Sequence, residues 1–149
     1  MSDTRQKILD DIKAAMKAGD KPRLATLRLM SAAIKQREVD ERIELDEPAT
    51  IAILDKLLKQ RRESITQYSK AGRDDLVAQE QSEAELIQTY LPEQLSPEEI
   101  AQHIDAAIGD TGASSIKDMG KVMGLLKAKL QGKADMSEVS KAIKAKLGS

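Results

Sequence analysis

The 149-residue chain contains no cysteine, tryptophan or phenylalanine, only one histidine and only two tyrosines. Without cysteine it has no disulfide, no thiol nucleophile and no zinc–thiolate centre. A single histidine, His103, excludes a histidine-based metal site, and any Ser–His triad would have to use it. A core lacking Phe and Trp must be aliphatic, which suits helix packing. Tyr68 and Tyr90 are too few to form the aromatic platform on which single-stranded RNA bases stack. No apolar run approaches the ~20 residues of a membrane span. The N-terminus is charged from Asp3 onward, unlike a signal peptide. The expectation is a soluble cytoplasmic protein with no membrane partner, no metal and no cofactor.

What is present is helical periodicity, with no alternating strand pattern. A first helix is expected over about Asp3–Ala18, with Ile8, Ile12, Ala15 and Met16 on one side and Gly19-Asp20 as its end. A second starts near Lys21-Pro22 and carries Leu24, Leu27, Met30 and Ile34 on one face. Glu38–Glu47 holds six acids and one base and reads as an exposed connection. Asp46 caps a long third helix with Pro48 in its first turn, running to about Ala71 before Gly72. A fourth spans about Asp74–Leu91 and is closed by Pro92. Ser96-Pro97-Glu98-Glu99 is a capping box that starts a fifth helix, ending near Gly109–Gly112. Ser115 with Asp118 opens a sixth, to about Gln131, and Asp135 with Glu138 opens the last, to Gly148. The fold expected is all-α in two subdomains: four longer helices in 1–91, a linker at 92–96, and three helices in 97–149.

The near-neutral total of −1 conceals blocks of charge. Residues 92–116 contain five acids and no base, whereas 117–149 contain eight lysines against three acids, a local charge of +5. Residues 21–37 hold five bases and no acid. Basic surfaces are where polyanions dock, although a solvated lysine face is also ordinary. Projected on a helix, Met119, Val122, Met123, Leu126 and Leu130 form an apolar face, and Lys117, Gly120, Lys121, Gly124, Lys127 and Ala128 gather opposite. Each mid-helix glycine costs about 0.8–1 kcal/mol relative to Ala, so two on one polar face call for a reason. One is a strip bare of side chains and flanked by lysines, open to a phosphate–ribose backbone, with Lys133 in the next turn extending it. The alternative is close packing of another helix on the glycines.

In the N-terminal half Arg61 lies within the apolar stripe of Leu54, Leu57, Leu58, Ile65 and Tyr68. Glu80 and Glu83 lie within that of Leu76, Ala84, Ile87, Tyr90 and Leu91. An antiparallel hairpin about Gly72–Arg73 brings them together as a structural ion network. Acid–base catalysis is the lesser reading, because no nucleophile, histidine or glycine-rich loop accompanies them. His103 is expected at the surface or half-buried, without a catalytic role.

Several runs carry a family likeness: Leu27-Arg-Leu-Met-Ser-Ala-Ala-Ile-Lys, Lys59-Gln-Arg-Arg-Glu-Ser-Ile, Ala71-Gly-Arg-Asp-Asp-Leu and Tyr90-Leu-Pro-Glu-Gln-Leu-Ser. To these add Met119-Gly-Lys-Val-Met-Gly and Lys129-Leu-Gln-Gly-Lys-Ala-Asp. Together they resemble the GatB/YqeY family over nearly the whole chain, in its stand-alone YqeY-type form. The resemblance implies an all-helical fold and a kinship with the tail of the GatB component of the tRNA-dependent Asp/Glu amidotransferase, which helps to hold tRNA. It makes Lys117, Gly120, Lys121, Gly124, Lys127 and Lys133 the tRNA-facing candidates. The kinase/amidation domain of the larger relatives is missing, so their chemistry does not transfer. The function expected is therefore a non-catalytic tRNA-handling module. The alternatives are an adaptor for an amidotransferase or aminoacyl-tRNA synthetase, and, more weakly, a component of a carbon–nitrogen ligase with glutamine as amido-N-donor.

Overall fold

In a computed structural model, which describes residues 2–148, the chain is built of α-helices and one 3-10 turn, with no strand among the described residues. It divides into two compact units, one ending at Leu91 and the other beginning at Pro92.

The first unit contains α1 (Asp3–Ala18), α2 (Lys21–Glu41), α3 (Glu47–Lys70) and α4 (Asp74–Gln88). Short polar side chains start three of them: Ser2 accepts from Arg5 N–H, Asp20 from Arg23 N–H and Asp46 from Ala49 N–H. The first turns of α1 and α3 are joined, because Ser2 donates to the Thr50 hydroxyl at 3.0 Å and Thr4 N–H donates to the Glu47 carboxylate at 3.2 Å. Gly72, at φ +71, turns the chain between α3 and α4, which pack along each other. The core is aliphatic, with Ile8, Leu27, Met30, Ile34, Leu54 and Ile87 fully enclosed.

Two helix limits differ from the sequence reading. Residues 38–47 are mostly exposed, but only 42–46 are a connection, since α2 continues to Glu41. The acids mislead because Glu38 faces inward: its carboxylate pairs with Arg5 and accepts the Leu45 N–H at 2.9 Å, and Leu45 is buried. The fourth helix ends at Gln88 rather than Leu91. Tyr90 and Leu91 N–H groups bond three residues back, to Ile87 and Gln88, so the final turn tightens.

The second unit contains α5 (Pro97–Thr111), the 3-10 turn Ile116–Asp118, α6 (Met119–Leu130) and α7 (Met136–Leu147). The capping box is formed in full: Ser96 accepts from Glu99 N–H and Glu99 accepts from Ser96 N–H. The sixth helix departs from expectation at its start. Ser115 makes no side-chain cap, and Asp118 accepts the Ser114 N–H at 3.0 Å, leaving 116–118 as a 3-10 turn ahead of α6. Residues 94 and 95, within the expected linker, are tied to the α6–α7 turn. Gln94 donates to the Gly132 carbonyl at 2.6 Å and Leu95 N–H to that of Lys133 at 2.9 Å. Ile104, Val122, Leu126, Leu130, Val139 and Ile143 form the core.

Candidate nucleic-acid interface

α6 is divided lengthwise. Val122, Leu126 and Leu130 are fully buried against α5 and α7, and each such side chain is worth about 1.5–3 kcal/mol. Gly120, Lys121, Gly124, Lys127 and Ala128 lie on the other side and are all exposed. The structure therefore brings four of the six candidates onto one open helix face. A Cβ added at Gly120 or Gly124 would meet nothing within 4 Å. The helix itself supplies no packing reason for either glycine, and neither has a positive φ.

The other two candidates sit off the helix. Lys117 is exposed in the 3-10 turn, one turn before Lys121. Lys133 is half-buried in the turn opened by Gly132 at φ +81, where its N–H and carbonyl are both engaged. Among the described residues Lys117, Lys121, Lys127 and Lys133 form no salt bridge, whereas Lys141 pairs with Glu138 and Lys146 with Asp105. The Asp118 carboxylate lies beside the strip. The Ser114 backbone N–H holds the Asp118 carboxyl below the usual range, with Lys121 adding to this and burial opposing it.

The first unit gathers charge differently. Arg61 Nε donates to Glu83 Oε2 at 2.8 Å and lies 3.5 Å from Glu80 Oε2, with the three side chains only 13%, 21% and 19% exposed. Sequence reasoning missed two comparable clusters. In one, Arg5 pairs with Glu38; in the other, the Tyr90 hydroxyl donates to Asp11 while Lys7 sits 5.3 Å from the Tyr90 ring centre. Burial, then the Asp11 carboxylate, raise the Tyr90 phenol well above its ordinary value. The Arg5–Glu38 signal was present: Arg5 continues the Ile8/Ile12/Ala15 stripe backward, and Glu38 follows Ile34 by four. His103 is half-buried on α5. Among the described residues no helix is long and apolar enough to cross a membrane, and no three His, Asp or Glu side chains group to hold a metal ion.

Comparison with known proteins gives the family of the chain. The family described as "Yqey-like protein" matches residues 5–147. Among curated proteins, "Altered inheritance of mitochondria protein 41, mitochondrial" of Eremothecium gossypii is 44% identical over 70% of this chain and 59% of its own length. The protein of that name in Vanderwaltozyma polyspora is 34% identical over 91% of this chain and 77% of its own. That of Lachancea thermotolerans is 43% identical over 54% and 44%. The match thus spans less than two thirds of the first and third relatives. These names overturn the expectation of a cytoplasmic location, since they point to mitochondria. With nearly its whole length matched, the chain belongs to the YqeY-like family, which is related to the GatB tail domain.

Proposed function

We propose that the second unit is a non-catalytic tRNA-binding module that grips the phosphate backbone through Lys117, Lys121 and Lys127, with Lys133 at the end of the strip. The observation that carries this reading is the pair of solvent-open glycines, Gly120 and Gly124, set among lysines that form no salt bridge among the described residues. Gly120 in the first turn of α6 and mid-helix Gly124, neither with a packing role, leave the backbone accessible where the cations are, which favours close approach by a sugar–phosphate chain. Recognition by shape and phosphates also agrees with the aromatics, since Tyr68 is half-buried and Tyr90 buried. The relatives' names point to a mitochondrial setting for the task.

The test is a tRNA titration at two salt concentrations with wild type and a K117E/K121E/K127E variant. Affinity should fall steeply with salt for wild type, by about 0.7–0.9 log units per log unit of salt for each phosphate neutralised. The variant should bind more weakly and with a shallower slope. Equal binding by the two proteins refutes the strip, and absence of wild-type binding refutes the reading.

A further inference from the structure

α2 presents a second surface that tRNA binding leaves unused. The helix buries Thr26, Leu27, Met30 and Ile34, and its opposite side is open. Positions seven apart lie within about 20° of one another on an α-helix, so that side resolves into three columns. Ala25, Ala32 and Val39 run down the centre, Lys21, Arg28 and Lys35 along one flank, and Leu29 and Gln36 along the other, with Arg42 and Ile43 following just past the helix end at Glu41; all are exposed. The aliphatic members are large for such positions: Leu29 is 42%, Ile43 52% and Val39 59% exposed.

We propose that this face docks an acidic amphipathic helix of a partner protein. A seven-residue repeat of small and apolar residues is the pattern that seats a second helix at a shallow crossing angle, and flanking charges choose the partner. The alanines let a helix approach closely, while Val39 and Ile43 border a hollow of about 480 Å³ with Lys35 and Arg42 at its rim.

Charge specifies the occupant. The other two cations of α2 are engaged, Arg37 with Glu41 at 2.8 Å and Arg23 beside the Tyr90 hydroxyl. The carboxylates nearby are engaged too: Glu38 pairs with Arg5 and accepts the Leu45 N–H, and Asp40 accepts from Gln36 at 2.8 Å. Lys21, Arg28, Lys35 and Arg42 form no salt bridge among the described residues, and Arg28 donates only to the Met16 sulfur, at 3.5 Å. The flank therefore offers Lys21, Arg28 and Lys35, with Arg42 just past the helix end, none of them in a salt bridge among the described residues; the acids nearest to them are Glu38, already paired with Arg5, and Glu44, which lines the same hollow. Carboxylates repeated every seven residues beside an apolar seam complement the flank. An RNA backbone would use the cations but leave Leu29, Val39 and Ile43 in water.

The test titrates the full ¹⁵N-labelled chain with a synthetic helical peptide of about four heptads, bearing leucine along its seam and glutamate along one flank. Amide shifts should be confined to residues 21–43. R28E/K35E should weaken binding about tenfold or more, and a peptide with lysine in place of glutamate should restore it to that variant. L29S/V39S should also weaken binding, with the charges intact. All four positions are exposed, and circular dichroism checks that both variants keep their fold. The proposal is overturned by shifts elsewhere or by binding indifferent to Leu29 and Val39. A wild-type dimer that V39S dissociates assigns the face to a second copy and overturns it as well. So does a loss of tRNA affinity in R28E/K35E equal to that in K117E/K121E/K127E.

Discussion

The interiors of the two units treat charge in opposite ways. In the first, Arg5–Glu38, Arg61–Glu83 and Tyr90–Asp11 join helices from within, in places a purely aliphatic core would fill with leucine. In the second, the core residues are all apolar, and the two salt bridges among the described residues, Glu138–Lys141 and Asp105–Lys146, lie at the surface. A buried, neutralised charge fixes which helix faces which, because displacing it strands its partner. An unpaired surface lysine costs nothing to keep and is available to a ligand. Internal pairing is a sign of architecture and external solitude a sign of recognition.

The strongest challenge to this contrast is Arg61→Leu. Glu83 and Glu80 would be left in a mostly enclosed site, with an expected loss of about 3 kcal/mol in urea unfolding. An unchanged midpoint would show that the network contributes nothing to the hairpin.

Next in size is Gly120→Ala with Gly124→Ala, which should stabilise the second unit by about 1 kcal/mol, since the added methyls meet nothing within 4 Å. Most of this comes from mid-helix Gly124, because Gly120 lies in the first turn of α6. The same variant should bind tRNA less well. A more stable protein with undiminished affinity would detach the glycines from recognition.

The smallest effects come from pH. The Leu45 N–H holds the Glu38 carboxyl below its ordinary range, with Arg5 and Lys35 adding to this and burial opposing it. Its contribution is complete above about pH 4.3 and is lost as pH falls through the lower folded-state value. Tyr90 runs the other way: its contribution is complete below about pH 10 and is lost as pH climbs through the raised folded-state value. Unfolding midpoints against pH should lose the acid limb in E38Q and the alkaline limb in Y90F. Limbs that persist in both variants would locate the titrating groups elsewhere.

Local signals carry most of the helices into view. Asp46 with Pro48, the Ser96–Glu99 box and Asp135 each start a helix within one residue of where the sequence puts it, because caps are chemistry between near neighbours. Arg61, Glu80 and Glu83 can be paired on paper because one hairpin relates them. Glu38 misleads for the opposite reason: its partner lies 33 residues away, and composition alone cannot distinguish an acid facing water from one facing Arg5. The 3-10 start of α6 is hidden because Asp118 turns back to Ser114 instead of serving the helix ahead of it. For the lysine strip, periodicity supplies the face, and the structure adds that the glycines on it meet no neighbour.

Both tyrosines lie in the first unit, and the second has no tyrosine, tryptophan or phenylalanine. Ultraviolet emission excited near 280 nm therefore reports on one half of the protein and is silent about the other. A melt followed by tyrosine fluorescence tracks residues up to Leu91, while far-ultraviolet ellipticity sums both halves. The gap between the two curves measures how far the lysine-rich half unfolds on its own, without any label being attached.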